Sequence, residues 1–254
     1  MQYNRYRSTG YYSSYFPPGV KWLLIVNTAV FVVNWFAAIL FGSDPFRYFG
    51  LVPYEVLRFG FVWQIVTYMF LHGGFGHILF NMLALWMFGL DLERDWGTRQ
   101  FLKYYFYCGI AAGVCVLASG VIFGQLGART IGSSGAIFGL LLAFGVLYPD
   151  RTVLMSFLFP IKAKYFVMII GAIAFMSSFR VNTGISDIAH LGGLVFGYIY
   201  LKTGMLRARR GNRSRGSWPG SLRQHYQDWK VQRARKKFQV YMRKHNSDHD
   251  RWVN

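Results

Sequence analysis

Six apolar segments, separated by shorter polar or glycine-rich stretches, set the pattern of the first 203 residues. They cover residues 22–42, 76–92, 101–123, 132–148, 165–179 and 187–203. A helix needs roughly 20 apolar residues to cross a hydrocarbon layer about 30 Å thick, and the longer segments reach that length. The pattern predicts an all-α membrane protein in which residues 20–203 form a bundle of six transmembrane helices.

The stretches on either side of the first helix have a different character. Residues 1–19 are a short polar and aromatic segment, and the run after them lacks a small-residue cleavage pattern, so we expect it to remain as a membrane anchor. Residues 43–72 carry few charges and are interrupted by Pro45, Gly50, Pro53 and Gly60. We therefore predict a first loop that lies in the membrane interface.

Composition sets residues 204–254 apart as a tail. The chain is 54% apolar and only 15% charged, whereas soluble domains have about a quarter charged residues, which argues against disorder and against an ordinary soluble fold. The net charge is nevertheless +18, and the tail holds 14 of the 28 lysines and arginines with only three acidic residues. We expect a basic tail, partly helical or disordered, at the anionic lipid surface, with nucleic acid as the less favoured partner.

The remaining lysines and arginines predict the topology. In a six-span bundle, ten of them lie on the side of both termini and four on the other side. Cytoplasmic loops are enriched in these residues, so the N- and C-termini are expected in the cytoplasm. The second, fourth and sixth helices then begin near the outer face.

Those three helix starts hold the candidate chemistry. The second helix begins with His77 and Asn81, the fourth with Ser134 and the sixth with His190. A transmembrane serine by itself more often bonds to its own backbone or lets helices approach. An ionisable group at this depth is costly and tends to be functional. The convergence of a serine, two histidines and an amide therefore indicates an acyl-transfer site.

Glycines favour close packing of the fourth and sixth helices. The stripes consist of Ser134, Gly135 and Gly139 on one helix and His190, Gly193 and Gly197 on the other. Small residues let helix backbones approach, so we expect the Ser134 hydroxyl to lie within hydrogen-bond reach of the His190 ring. Taken alone, either glycine pair more often reflects packing that serves no chemistry.

The residue types suggest a division of roles. Ser134 can act as the nucleophile and His190 as its general base. His77 and Asn81 are four residues apart on one helix face and can donate to an oxyanion, as can the backbone N–H of Ser134. Phe138, one turn after Ser134, either packs on the His190 ring or fills the core.

Three motifs in this order resemble those of the rhomboid family of intramembrane serine proteases. Residues 132–135 match GxSG, residues 77–81 match HxxxN, and residues 189–197 match AHxxGxxxG. The similarity covers about residues 20–203. It implies that Ser134 and His190 form a dyad that cleaves transmembrane segments of single-span proteins, with no metal or cofactor. It also implies a supporting role for Gly132 and for His72, whose alternative is an interfacial residue hydrogen-bonded within its loop.

Two positions depart from the family pattern or leave it ambiguous. Many rhomboids carry a Trp-Arg pair in the first loop, and this chain has Trp63 and Gln64 there. Asp187, three residues before His190, can orient the imidazole as the acid of a triad does. The favoured interpretation is instead that Ser186 or Asp187 caps the last helix.

The resemblance also implies a cellular setting, a bacterial inner membrane with the active site toward the outer face. The alternative function is a catalytically silent rhomboid-like binding or quality-control protein, although such proteins typically lack the nucleophile or base. A transporter is disfavoured because the chain shows neither paired intramembrane acids nor an inverted repeat.

Overall fold

The computed structural model describes residues 16–42, 44–155, 159–178 and 184–214. Within them the elements are α1 (Pro18–Phe41), α2 (Pro53–Phe59), α3 (Gln64–Thr67), α4 (Phe75–Trp96), α5 (Thr98–Ile122), α6 (Ser134–Leu147), β1 (Thr152–Met155), β2 (Phe159–Lys162), α7 (Ala163–Ser177) and α8 (Gly184–Ser214). Short 3-10 turns cover Arg47–Phe49 and Tyr68–Phe70. The N-terminal segment and most of the basic tail lie outside the described residues.

The described chain is mostly helical, as the apolar pattern predicts. Of its helices, α1, α4 and α5 are long and apolar enough to cross a membrane. Helices α6 and α7 are shorter, with 14 and 15 residues, which corresponds to about 21 and 22 Å at a rise of 1.5 Å per residue.

A buried glutamate fixes the start of α1. The backbone N–H groups of Gly19 and Val20 each donate to the Glu93 carboxylate over 2.7 Å, and the Thr98 hydroxyl donates to it over 2.6 Å. The first amides of a helix have no intrahelical acceptor, and the helix dipole favours negative charge there. Glu93 therefore joins the start of α1 to the end of α4 and the start of α5.

Residues 152–155 and 159–162 depart from the all-α prediction because they pair as two antiparallel strands. Thr152 of β1 lies opposite Lys162 of β2, and Val153 is buried. Next to the two strands, Asp150 pairs with Lys164 at 3.0 Å and Lys162 at 3.4 Å, and hydrogen bonds from these two amines lower the pKa of the Asp150 carboxyl. Each strand has only four residues, too few for an alternation to be distinguished from the ends of two apolar helices.

Helices α5 and α6 form the centre of the bundle. Cys108 and Ala112 of α5 and Ala136 and Leu140 of α6 are buried there. In α7, by contrast, the buried residues are only Ala163 and Ala174 among its described side chains. The centre of the bundle therefore lies around α6, at the start of which Ser134 is located.

The chain divides into two compact units, residues 1–201 and residues 202–254. The first unit contains all the described elements from α1 to α7 and the part of α8 that ends at Leu201. In the second, the structure describes the C-terminal end of α8, which reaches Ser214. The helix thus extends past residue 203, where the sequence predicts the tail to begin.

Candidate active site

The chain enters α6 through Gly132, whose unusual backbone conformation favours glycine. Gly132 has φ +116°, a region that side chains with a Cβ rarely adopt, and its N–H donates to the Tyr68 carbonyl over 2.9 Å. Ser133 follows as the N-cap residue, fully buried, and Ser134 is the first helical residue. The Ser134 N–H therefore belongs to the group of helix-start amides that lack an intrahelical acceptor.

The structure brings Ser134 and His190 together across α6 and α8. The Ser134 Oγ and His190 Nε2 atoms are 2.9 Å apart, a hydrogen-bond distance. The Phe138 ring stacks on the His190 ring, with centroids 4.2 Å apart and planes inclined by 5°. The stack fixes the plane of the imidazole, so its Nε2 edge points at the serine hydroxyl. Of the two interpretations of Phe138, packing on His190 is the one observed.

Backbone contact between glycines explains how the two helices come so close. A Cβ at Gly193 would overlap the Gly135 carbonyl, and one at Gly197 would lie 3.3 Å from the Cα of Gly139. A Cβ at Gly135 would in turn lie 3.3 Å from the Ala189 carbonyl oxygen. The two glycine stripes therefore interlock, and any side chain there would push Ser134 away from His190.

Asp187 lies beside His190 rather than at a helix cap. Its Oδ1 atom is 3.5 Å from His190 Nδ1, and each of the two side chains is 20% exposed. Helix α8 begins at Gly184, so Asp187 lies within its first turn. The N-cap interpretation is therefore wrong for Asp187, and the carboxylate is placed where it can orient the imidazole.

Two N–H donors of α4 face the same space as Ser134. The Gly73 N–H donates to His77 Nδ1 over 3.4 Å, which leaves Nε2 as the protonated nitrogen of a neutral ring. Asn81 is buried, and among the described residues its Nδ2 amide has no hydrogen-bond partner. A buried donor without a partner is costly, and this amide is free to donate to a group that enters the same space.

His72 lies directly behind His77. The two ring centroids are 5.1 Å apart, and His72 is buried in the loop before α4. Burial, and then the neighbouring His77, lowers the pKa of His72 to about 4. His72 is thus neutral at physiological pH.

These groups line one cavity of about 370 Å³. Its walls include His77, Asn81, Gly132, Ser134, Phe138 and His190. The described residues contain no cluster of three or more histidine, cysteine, aspartate or glutamate side chains suited to a metal. The cavity therefore offers a serine–histidine pair and two amide or imidazole donors at one location.

Several lining residues were not anticipated from the sequence. Phe80, Thr130, Ile131 and Ala189 also face the cavity. Tyr68 lies there as well, with its hydroxyl donating to the Gly109 carbonyl over 2.7 Å, and burial raises the pKa of that phenol. No spacing signal identifies Tyr68, Thr130 and Ile131, because they reach the cavity through the first loop and the segment before α6, whereas Phe80 lies on α4 and Ala189 on α8.

Comparison with known proteins places the chain in a family. The family model of the Rhomboid domain matches residues 60–207, more than half of the chain. The chain is 35% identical over 150 residues to Rhomboid protease GluP of Bacillus subtilis (strain 168), which covers 59% of this chain and 27% of that protein.

Two further relatives show similar identity. Putative rhomboid protease YdcA of Bacillus subtilis (strain 168) is 34% identical over 137 residues, 54% of this chain and 64% of that protein. Rhomboid protein 1, mitochondrial, of Saccharomyces cerevisiae is 33% identical over 144 residues, 54% of this chain and 40% of that protein. The chain thus spans less than two thirds of the length of each of these relatives. From the domain match and its long apolar helices, the chain is a member of the rhomboid family and an integral membrane protein.

Proposed function

We propose that this protein is an intramembrane serine endopeptidase that cleaves transmembrane segments of membrane proteins. The observation that carries the proposal is the 2.9 Å contact between Ser134 Oγ and His190 Nε2 at the wall of a cavity. A hydroxyl held on an imidazole is the arrangement that makes serine a nucleophile. The family membership and the protease names of the relatives support the same reaction.

The reaction begins with attack of Ser134 Oγ on a substrate carbonyl carbon while His190 Nε2 accepts the hydroxyl proton. The carbonyl oxygen gains negative charge and is stabilised by His77 Nε2–H, Asn81 Nδ2–H and the Ser134 N–H. His190 then gives its proton to the leaving amine, and the acyl-enzyme forms. Water, deprotonated by His190, hydrolyses that ester and regenerates the Ser134 hydroxyl.

Asp187 acts in this cycle through His190. Its carboxylate, 3.5 Å from Nδ1, favours the tautomer that carries the proton on Nδ1 and leaves Nε2 free to accept. It also stabilises the imidazolium that forms after the proton transfer. The stacked Phe138 ring holds the imidazole plane during both transfers.

The proposed membrane arrangement is a six-span bundle made of α1, α4, α5, α6, α7 and α8. The excess of lysine and arginine at one end favours cytoplasmic termini and an active site toward the outer face. Because α6 is about 21 Å long at 1.5 Å per residue, Ser134 then lies below the membrane surface. The bacterial relatives are consistent with a bacterial inner membrane.

The decisive experiment compares wild type with Ser134→Ala in liposomes that contain a single-span substrate with helix-destabilising residues. Wild type is expected to cleave the substrate and react with a fluorophosphonate, while Ser134→Ala does neither. Ser119→Ala is a matched control, because Ser119 is a buried serine of α5 that donates to the Val116 carbonyl over 2.9 Å. Equal cleavage by wild type and Ser134→Ala would refute the proposal, whereas no cleavage by either would favour the silent binding protein.

The basic tail is proposed as an accessory segment that contacts anionic lipid. Its excess of lysines and arginines over three acids supports attraction to a negative membrane surface. Deleting residues 215–254, after the end of α8, is expected to weaken binding to vesicles with anionic lipid and to leave proteolysis largely unchanged. Loss of cleavage by a correctly inserted truncated protein would show that the tail is required.

A further inference from the structure

Gln64 is an unusual buried polar residue that the reaction described above does not use. It is the first residue of α3, in the first loop, and its side chain is fully buried. Its Oε1 accepts from the Val52 N–H over 3.0 Å, and its Nε2 donates to the Tyr48 carbonyl over 3.1 Å and to Glu55 Oε2 over 2.6 Å. All the polar groups of this side chain are therefore engaged.

The contact with Val52 leads toward the active site through the backbone. Leu51, the preceding residue, exchanges two hydrogen bonds with Thr130, with N–H to carbonyl distances of 2.9 and 2.8 Å. Thr130 lies two residues before Gly132. Any change in the position of residues 51 and 52 is therefore transmitted to the segment that leads into α6.

A second connection returns from Gly132 to Gln64. The Gly132 N–H donates to the carbonyl of Tyr68 over 2.9 Å, and Tyr68 follows Gln64 by four residues in continuous helical turns. The connections thus close a ring that runs from Gln64 through Leu51, Thr130 and Gly132 to Tyr68. The side chain of Gln64 is the one side-chain link that this ring uses, because all the others are covalent or backbone–backbone bonds.

The ring holds the part of the backbone on which the site depends. Gly132 is strained away from ordinary backbone angles and lies against His77, since a Cβ there would be 2.7 Å from His77 Nε2 and 3.7 Å from Asn81 Nδ2. A shift of Gly132 therefore changes the distance between the Ser134 helix start and both oxyanion donors. Misplacement of about 1 Å is enough to cost a hundredfold in rate.

A neutral amide meets the requirements at position 64, and a purely cationic or anionic side chain does not. The Val52 N–H needs an acceptor, while the Tyr48 carbonyl and the Glu55 carboxylate need donors. Arginine and lysine have no acceptor, and an ionised glutamate has no donor. Glutamine supplies both at once from one planar group.

We propose that Gln64, oriented by Glu55, is a positioning residue that holds the Thr130–Gly132 backbone and through it the geometry of Ser134 and the oxyanion donors. Its effect on turnover rests on the proposed protease function, but the hold on the backbone does not. The two parts are therefore tested by separate measurements on the full-length protein in liposomes.

The first measurement is amide hydrogen exchange in Gln64→Met, which keeps the length of the side chain and removes its hydrogen bonds. Amide exchange at Leu51, Thr130 and Gly132 is expected to accelerate by at least about tenfold, because the variant loses the free energy of roughly one buried hydrogen bond. Gln100→Met is the matched control, because Gln100 donates to the Tyr200 hydroxyl over 2.9 Å outside this ring. Equal protection in Gln64→Met and wild type would overturn the proposal, whether or not the protein cleaves anything.

The second measurement is turnover in Gln64→Glu and in the double variant Gln64→Glu with Glu55→Gln. The single variant puts two carboxylates at hydrogen-bond distance, so kcat and the rate of fluorophosphonate labelling should fall at pH 7.5 with little change in KM. Relative to wild type at the same pH, its activity should recover toward pH 5, where the pair can share a proton.

The double variant restores a donor–acceptor pair with the two side chains exchanged, and it should regain part of the lost rate at pH 7.5. A kcat defect that is neither relieved by the exchange nor reduced at low pH would refute the positioning role. If wild type itself does not cleave, the protease function fails, and the exchange measurement alone decides whether Gln64 holds the backbone.

Discussion

Helices α6 and α7 are alike in length and apolar character and opposite in their surroundings. Both are apolar, with 14 and 15 residues. In α6, nine residues are buried, including Leu140, whereas in α7 only Ala163 and Ala174 are buried, and Met168 is 67% exposed. Hydrophobicity therefore does not decide which of the two helices becomes the centre of the bundle.

Glycine spacing accounts for the difference. At Gly135 and Gly139 of α6, side chains of α5 lie at distances that no Cβ would permit, and backbone carbonyls of α8 lie 3.3 and 3.4 Å from the ideal Cβ positions. Gly171 of α7 has a single neighbour, Leu194, 3.4 Å from its ideal Cβ position. Between helices in lipid, close backbone packing replaces the hydrophobic effect as the source of association. The comparison predicts that equivalent substitutions in or against the two helices have unequal effects.

The largest difference is expected between Gly193→Ala and Gly171→Ala. A methyl group at Gly193 overlaps the Gly135 carbonyl, so α8 must move away from α6 and His190 from Ser134. We expect cleavage to fall by at least about a hundredfold and stability to fall by about 1–3 kcal/mol. Gly171→Ala should preserve both. Measurement of kcat and of reversible unfolding in detergent decides, and equal effects of the two variants would contradict the role given to the glycines.

Acid should lower the stability of the protein through His72, in the loop before α4. The pKa of buried His72 is lowered from 6.5 to about 4, so between these values the unfolded state binds a proton that the folded state does not. Stability is then complete above about pH 7 and decreases by up to about 3 kcal/mol as the pH falls to 4. His72→Phe should reduce this slope in unfolding measurements from pH 8 to 4. Identical slopes in wild type and variant would show that His72 does not contribute.

Truncating one side chain in each helix should produce a smaller difference in the free energy of unfolding. Leu140→Ala in α6 removes a fully buried side chain and leaves a cavity, at a cost of about 2 kcal/mol. Met168→Ala in α7 removes a side chain that is mostly exposed, and the change should stay within about 0.5 kcal/mol. Unfolding of the two variants in the same detergent tests this, and a cost at Met168 as large as that at Leu140 would show that α7 is packed more tightly than described.

The smallest effect is expected from the aromatic stack. Phe138→Leu removes the ring that lies 4.2 Å from His190, and such pairs contribute about 0.5–1.5 kcal/mol. We expect up to about a tenfold loss in kcat with stability nearly unchanged. Phe175→Leu makes the same change in α7, where the side chain is half exposed, and should leave kcat at the wild-type value. If both variants retain full activity, the stack does not orient the imidazole.

The positions of the helices were predictable where the apolar segments were long. A helix occupies each of the six apolar segments, because a run of 15 or more apolar residues has few alternatives. The start of α1 at Pro18, before the predicted residue 22, depends on Glu93, more than 70 residues away. The pairing of residues 152–155 with residues 159–162 was missed because the two strands are too short to show a period.

The candidate site was predictable to the extent that its residues share helix starts. Ser134 and His190 could be brought together from charge asymmetry and glycine spacing, and they are in contact. Tyr68 and Thr130 could not be assigned in this way, because they contribute backbone hydrogen bonds, and a partner of the Gln64 side chain is likewise a backbone group, the Val52 N–H. A carbonyl or an amide has the same chemistry at every residue, so the sequence carries no mark of which one is used.

The sequence by itself determined the helical segments, the uneven distribution of charge and the three helix starts that carry a serine, two histidines and an asparagine. These follow from one-dimensional quantities, namely hydropathy, charge and spacing. Only the tertiary structure decided that α6 is central and α7 peripheral, that Asp187 contacts His190, and that Gln64 closes a ring around Gly132. These depend on contacts between residues far apart in the chain, where a distance of a few tenths of an ångström decides whether a hydrogen bond forms.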